Sequence, residues 1–224
     1  MTPDTPLPPE SIQVRRLVVE AVERAAELIA APATAERWNH PSALEGMTVG
    51  ALAAHLVRAA GATIAYLDRT PSEQSPADEL LTPSTYFHAA IASPIHDQIK
   101  TVSSDEASIG HQATAEKCSR LAHELSDRLS TEPADRLIAA LGGRFLTLDD
   151  FCRTRMIEVL LHLDDLAVST DQPRPETDPE GPALVIDICI NIARNLHGDW
   201  PVLYALARNE RATSDRSSRV FPVF

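Results

Sequence analysis

Between Ser11 and Ala30 the apolar residues Ile12, Leu17, Val18, Ala21, Val22, Ala25, Leu28 and Ile29 recur at helical spacing, which predicts a helix with one apolar stripe. Pro32 marks its end, and a loop with Trp38, His40 and Pro41 follows. Gly46-Met47-Thr48 then leads into a second predicted helix, with Thr48 as the N-cap and Val49 to Leu67 as the body. Small residues dominate this body: Gly50, Ala51, Ala53, Ala54, Ala59, Ala60, Gly61 and Ala62. A neighbouring helix can therefore approach closely around His55. Glycine inside a helix costs about 1 kcal/mol relative to alanine, so packing rather than local preference accounts for Gly50 and Gly61.

Further along, Thr70 to Thr82 turns to Pro, Ser, Glu and Asp and reads as an exposed connection. Tyr86 to Val102 is predicted helical, with Pro94 expected to end or kink it. A helix from about Ile109 to Leu129 follows, closed by Pro133, and Ala140-Leu-Gly-Gly-Arg144 is a turn signal. Leu148-Asp-Asp opens a long central helix that runs to about Thr170. Asp171 to Pro182 contains four prolines and is expected to be a loop. Two further helices, Ala183 to Leu196 and Pro201 to Arg211, precede a polar tail that ends in Arg219-Val-Phe-Pro-Val-Phe224. No strand alternation longer than a few residues and no internal repeat is visible. The pattern predicts one all-α domain over 1–224, four long helices in a bundle with short accessory helices, and loosely ordered ends over 1–10 and 212–224.

The central helix departs from a plain amphipathic pattern. Arg155, Glu158, His162 and Asp165 fall into one narrow stripe beside an apolar flank of Cys152, Met156, Val159, Leu160, Leu163 and Leu166. Glu158 and His162 stand four apart, so a carboxylate oxygen and an imidazole nitrogen can converge on one point, as two metal ligands on a single helix do. A third ligand has to come from elsewhere. His55 is the best candidate, being the only histidine set centrally in an apolar, tightly packing helix. A buried imidazole without a partner costs roughly 1–3 kcal/mol, so His55 is either a hydrogen-bonded core histidine or a metal ligand. The other histidines, His40, His88, His96, His111, His123 and His197, stand in loops or beside polar residues and are read as solvated. Arg155 and Asp165 flank the ligands by one turn and can orient an imidazole, pair with Glu158, or simply form structural salt bridges.

Composition narrows the function classes. The 224 residues suffice for one domain with a real core. A net charge of −12, with Lys100 and Lys117 as the two lysines, argues against a nucleic-acid binder, whose affinity rests on clustered cations. The proline-rich, acidic amino terminus does not read as a secretion signal, and His55 and Arg58 interrupt the most apolar run, so no membrane span and a cytoplasmic location are expected. Cys118, Cys152 and Cys189 lack metal-site spacing and are expected to be buried thiols of a reducing compartment. A homodimer is compatible with the sequence, which leaves the oligomeric state open.

Trp38, then Leu44-Glu-Gly-Met-Thr-Val-Gly-Ala-Leu-Ala-Ala-His55-Leu, then Arg155-Met-Ile-Glu158-Val-Leu-Leu-His162-Leu-Asp-Asp165 together resemble the DinB-like metalloenzymes. The closer resemblance is to the mycothiol-dependent maleylpyruvate isomerase amino-terminal domain family, and Leu203-Tyr-Ala-Leu-Ala-Arg-Asn-Glu-Arg211 adds to it. The resemblance implies a four-helix bundle in up-down-down-up order. It also implies a histidine, glutamate and histidine ligand set that maps onto His55, Glu158 and His162. The metal implied is divalent, usually zinc, with Ni²⁺ and Mn²⁺ as alternatives. The isomerase carries a further carboxy-terminal domain for its acidic substrate, whereas this sequence beyond the bundle has room for two short helices. Bundle-only relatives resemble thiol S-transferases that activate mycothiol or bacillithiol toward an electrophilic small molecule. The arginine-rich, lysine-poor composition favours mycothiol. With three protein ligands, a tetrahedral zinc keeps one position open and converts a thiol there to its nucleophilic thiolate. Alternatives are isomerase-like chemistry, a metal-assisted hydrolase, and a metal-binding module without turnover.

Overall fold

The computed structural model describes residues 6–71, 79–91, 96–140, 143–208 and 220–223, with backbone alone for 91, 96 and 97. Its elements in chain order are α1 (Pro9–Ala30), α2 (Pro32–Glu36), α3 (Val49–Arg69), α4 (Pro83–Ile91), α5 (His96–Ala107) and α6 (His111–Thr131). A hairpin of β1 (Leu137–Ala139) and β2 (Phe145–Thr147) follows, then α7 (Leu148–Ser169), α8 (Glu180–His197) and α9 (Asp199–Ala207). The fold is the all-α, DinB-like bundle that the hydrophobic pattern and the resemblance imply. Helices α1, α3, α6 and α7 form it. Helix α1 packs on α6 and α7, and α3 packs on the same two, so α1 and α3 lie diagonally across the core. Helix α5 lies against α3, α8 against α4 and α7, and α9 against α8.

Local chemistry sets the ends of the bundle helices. Pro9 starts α1 at a position where a missing N–H costs nothing. Thr48 caps α3 by accepting from the Ala51 N–H at 3.1 Å. Thr147 caps α7 by accepting from the Asp150 N–H at 3.0 Å, and Asp149 and Asp150 place negative charge at its amino-terminal dipole. Two buried arginines meet at Glu132 and close carboxy-terminal helix ends there. Arg15 donates to the carbonyls of Leu129, in the last turn of α6, and Glu132, just past it, and pairs with Asp149 at 2.7 Å, joining α1, α6 and α7. Arg136 donates to the Leu67, Thr70 and Pro71 carbonyls, the last turn of α3 and its exit. Carbonyls that a helix end leaves unpaired thereby find donors inside the fold.

The small-residue face of α3 is used as its composition implies. A methyl group added at Gly50 would lie 2.6 Å from the Trp38 indole, and the Gly50 N–H donates to the Trp38 carbonyl at 2.8 Å. Helix α3 is long and apolar enough to span a membrane by length and composition, yet 67% of its most apolar window is buried inside the fold, where it serves as a core helix. Cys118 and Cys152 are buried thiols, each pushed up to about 12 by burial, and Cys189 is half-buried.

Several expectations need correction. The turn at 140–144 joins two short antiparallel strands, which pair Ile138 with Leu146 as fully buried neighbours. Three residues per strand are too few for alternation to show. Residues 32–36 form a helical turn rather than loop, and α8 begins at Glu180 inside the proline-rich stretch, with Pro182 tolerated in its first turn. The connection before α4 is not exposed throughout: Leu81 is buried and its N–H donates to the Phe145 carbonyl at 2.7 Å. The stretch 86–102, expected to be helical with an end or kink at Pro94, falls in the two helices α4 and α5, and Pro94 itself lies outside the described residues. His111 is not solvated. Its Nε2 bonds the Ile29 carbonyl at 2.6 Å and its ring meets Trp38 edge to face. The expected loose end at 212–224 lies largely outside the described residues, but Val220 packs with Ala193 and Val202.

Candidate metal centre

His55 projects from the middle of α3, and Glu158 and His162 project from successive turns of α7 where those two helices pack. Their ligand atoms form one cluster. The two Nε2 atoms are 3.1 Å apart, and Glu158 Oε2 lies 3.9 Å from His55 Nε2 and 3.5 Å from His162 Nε2. The fold thus brings together all three candidate ligands, a set that could hold a metal ion. For zinc bonds of 2.0–2.1 Å, neighbouring tetrahedral ligands stand about 3.3 Å apart, which the three edges bracket. Two nitrogens and a carboxylate oxygen suit a borderline divalent ion.

The flanking groups orient the cluster. Asp165 Oδ2 lies 3.1 Å from His162 Nδ1, so the carboxylate fixes that nitrogen as an N–H and turns Nε2 toward the cluster. Arg155 does less than its stripe position suggests. It is buried, its Nε donates to Thr154 Oγ1 at 3.1 Å, and its guanidinium sits over the Phe151 ring at 4.8 Å. Among the described residues it makes no ion pair with Glu158, and its charge acts through space. Two further groups are missed by the sequence reading. Arg58 places its NH2 3.0 Å from His55 Nδ1, and it also reaches Ser103 and Glu106 on α5. The i, i+3 spacing of His55 and Arg58 is the signal that could have found it. Tyr86 of α4 receives a 3.4 Å contact from the Arg155 NH2.

Burial and mutual charge set the protonation of the metal-free cluster. Burial pushes His55 down to about 4, aided by the charge of His162 and opposed by Glu158. For His162 burial also disfavours the charge, but hydrogen bonds to Asp165 and Glu158 outweigh it and lift the group to about 9. Burial opposes ionisation of Glu158 as well, yet His162, Arg155 and His55 hold it down to about 2. At neutral pH the cluster therefore pairs a neutral His55 with a cationic His162 and an anionic Glu158.

A cleft of about 910 Å³ reaches His55 and Glu158 and is walled by Arg58, Arg155, Tyr66, Tyr86 and Phe87 among others. Grooves of about 730 and 700 Å³ between α1 and α6 lie away from the cluster and are lined by helix-surface side chains.

The fold and cluster together define a helical-bundle protein with a half-buried His, Glu, His constellation beside a cleft. Residues 18–167 match the model of the mycothiol maleylpyruvate isomerase N-terminal domain, and the chain belongs to that family, within the DinB-like superfamily. All three candidate ligands and Asp165 lie within the matched span. No curated protein and no solved structure is significantly similar to the chain.

Proposed function

We propose that His55, Glu158 and His162 hold one divalent metal ion, zinc by preference, and that the chain transfers a low-molecular-weight thiol, mycothiol, to an electrophilic small molecule. The observation that carries this reading is the convergence of two imidazoles and one carboxylate, with edges of 3.1, 3.5 and 3.9 Å, at a cleft that can admit small molecules. A bound divalent metal with three protein ligands would keep one position for the thiol and lower its pKa from about 8.5, so that it reacts as the thiolate at neutral pH.

The chain's own residues prepare that chemistry. Glu158 is ionised at neutral pH and brings one negative charge, which leaves the thiol sulfur more electron-rich than three imidazoles would. Asp165 fixes the ring of His162, so its ligand nitrogen needs no reorientation. Tyr66, Tyr86 and Phe87 give the cleft apolar walls beside its charged residues. Membership in the mycothiol family supports the choice of thiol.

The test is conjugation of mycothiol to a generic alkylating electrophile by purified protein, with and without chelator. Metal-dependent consumption of both reactants is expected. A protein that stays metal-free after incubation with Zn²⁺, Ni²⁺ and Mn²⁺ overturns the metal reading, and activity that added thiol inhibits points to a hydrolase instead.

A further inference from the structure

The cleft beside the cluster is charged against the sign of the chain. The chain carries a net −12, yet five cations, Arg58, Arg69, Lys117, Arg120 and Arg155, line the cleft against two carboxylates, one of them Glu158. Arg58 is engaged by Ser103 and Glu106, and Arg69 turns back onto its own helix, donating to the Ala65 carbonyl. The other three hold little. Among the described residues Lys117 makes no ion pair, and Arg120 has Glu116 at 4.0 Å, with both side chains exposed.

Arg155 is the sharpest case. It is 7% exposed, and among the described residues no carboxylate stands within ion-pair distance of it. Its hydrogen bonds go to two hydroxyls, from Nε to Thr154 Oγ1 and, at a long 3.4 Å, from Nη2 to Tyr86 Oη. A buried guanidinium without a counter-ion is costly, because burial removes the water that would stabilise its charge. Its fork carries five N–H donors, more than these contacts use. Tyr86 is itself buried, lines the same cleft and accepts from Arg155, so its own O–H is left to donate. Guanidinium and phenol thus present donors side by side, one helical turn from Glu158.

We infer that Arg155 and Tyr86 seat a carboxylate of the electrophile and so select acidic electrophiles over neutral ones of the same shape. This rests on the transferase reading above. A planar carboxylate matches the guanidinium fork, and the phenol adds a further donor. Lys117 and Arg120, on α6, draw the anion toward the cleft. Mycothiol has no ionisable group besides its thiol, so the carboxylate is the electrophile's.

Two aryl chlorides separate charge from shape, 4-chloro-3-nitrobenzoate and 4-chloro-3-nitrobenzamide. In each, the thiolate sulfur bonds to the chlorine-bearing carbon, chloride leaves with the C–Cl electron pair, and the thiol proton goes to buffer. With mycothiol, the Zn²⁺-loaded full-length chain and each rate divided by the uncatalysed one, kcat/KM should favour the benzoate roughly ten- to a hundredfold, the range of hydrogen bonds to a charged group. Arg155→Met should bring the two substrates close to parity and Tyr86→Phe should narrow the preference. Lys117→Gln with Arg120→Gln should narrow it at low salt, where exposed charges act furthest. Calorimetry of unreactive 3-nitrobenzoate on the metal-free chain reads the seat without turnover, and Arg155→Met should abolish that binding. If Arg155→Met fails to fold, Tyr86→Phe and the preference of the unaltered chain decide. Equal enhancement of both chlorides overturns the seat and leaves the transferase reading standing. Binding of 3-nitrobenzoate through Arg155 with conjugation of neither chloride supports the seat and removes the transferase reading. Faster conjugation of the benzamide by glutathione, a thiol that carries carboxylates, than by mycothiol would put the carboxylate on the thiol and overturn the assignment.

Discussion

Raising the pH from 7 to 9 should strengthen metal binding in proportion to the loss of a proton from His162. With that group lifted to about 9, only about one molecule in a hundred carries a neutral His162 at pH 7, so the apparent affinity there is roughly a hundredfold below its limit, or about 2.7 kcal/mol. His55, pushed down to about 4, and Glu158, held down to about 2, are already in their ligand states at neutral pH and add nothing to the slope. Titration calorimetry at pH 7 in two buffers of different ionisation enthalpy should report about one proton released per metal. The affinity should climb about tenfold per pH unit and level off above pH 9. The same group fixes a sign for the metal-free fold: its pKa is raised above the unfolded 6.5, so its stabilisation is complete below pH 6.5 and is lost as the pH rises through about 9. Urea unfolding of metal-free protein should show that decline, up to about 3 kcal/mol. Heat that does not depend on the buffer, together with a flat affinity from pH 7 to 9, would refute this account of the cluster.

Asp165→Ala should leave the fold intact and weaken metal binding roughly 10–100-fold, since His162 loses the group that orients it; chelator competition measures this. Gly50→Ala should lower the melting temperature, because its methyl group meets the Trp38 indole at 2.6 Å, whereas Gly61→Ala, which meets Leu121 at 3.5 Å, should not. Removing the metal should lower the melting temperature without abolishing helical circular dichroism. The ligands stand on helices buried by their own packing, and binding at a thousandfold excess over Kd adds about 4 kcal/mol.

The long helices are legible in the sequence because burial imposes the helical period on it. In α1 the residues Val14, Leu17, Val18, Ala21 and Val22 all face the core. The cluster is half legible for the same reason: Glu158 and His162 share a helix, so local spacing joins them, whereas His55 comes from another helix and only its apolar setting marks it. Short elements are not legible. A three-residue strand shows no alternation, and α2 and the first turn of α8 start at or beside prolines, which also occur in loops. Arg58 reads only as a break in an apolar run, because charge alone does not reveal a contact. His111 reads as solvated because its partners, Ile29 and Trp38, come from distant parts of the chain.

The proposed thiol chemistry is tested most directly by titrating mycothiol into the cobalt-substituted protein while following both the visible spectrum and electrophile consumption. The account predicts a metal–thiolate absorption band that saturates with mycothiol, is absent from His162→Ala, and accompanies turnover of the electrophile. Absence of the band at saturating thiol would contradict it.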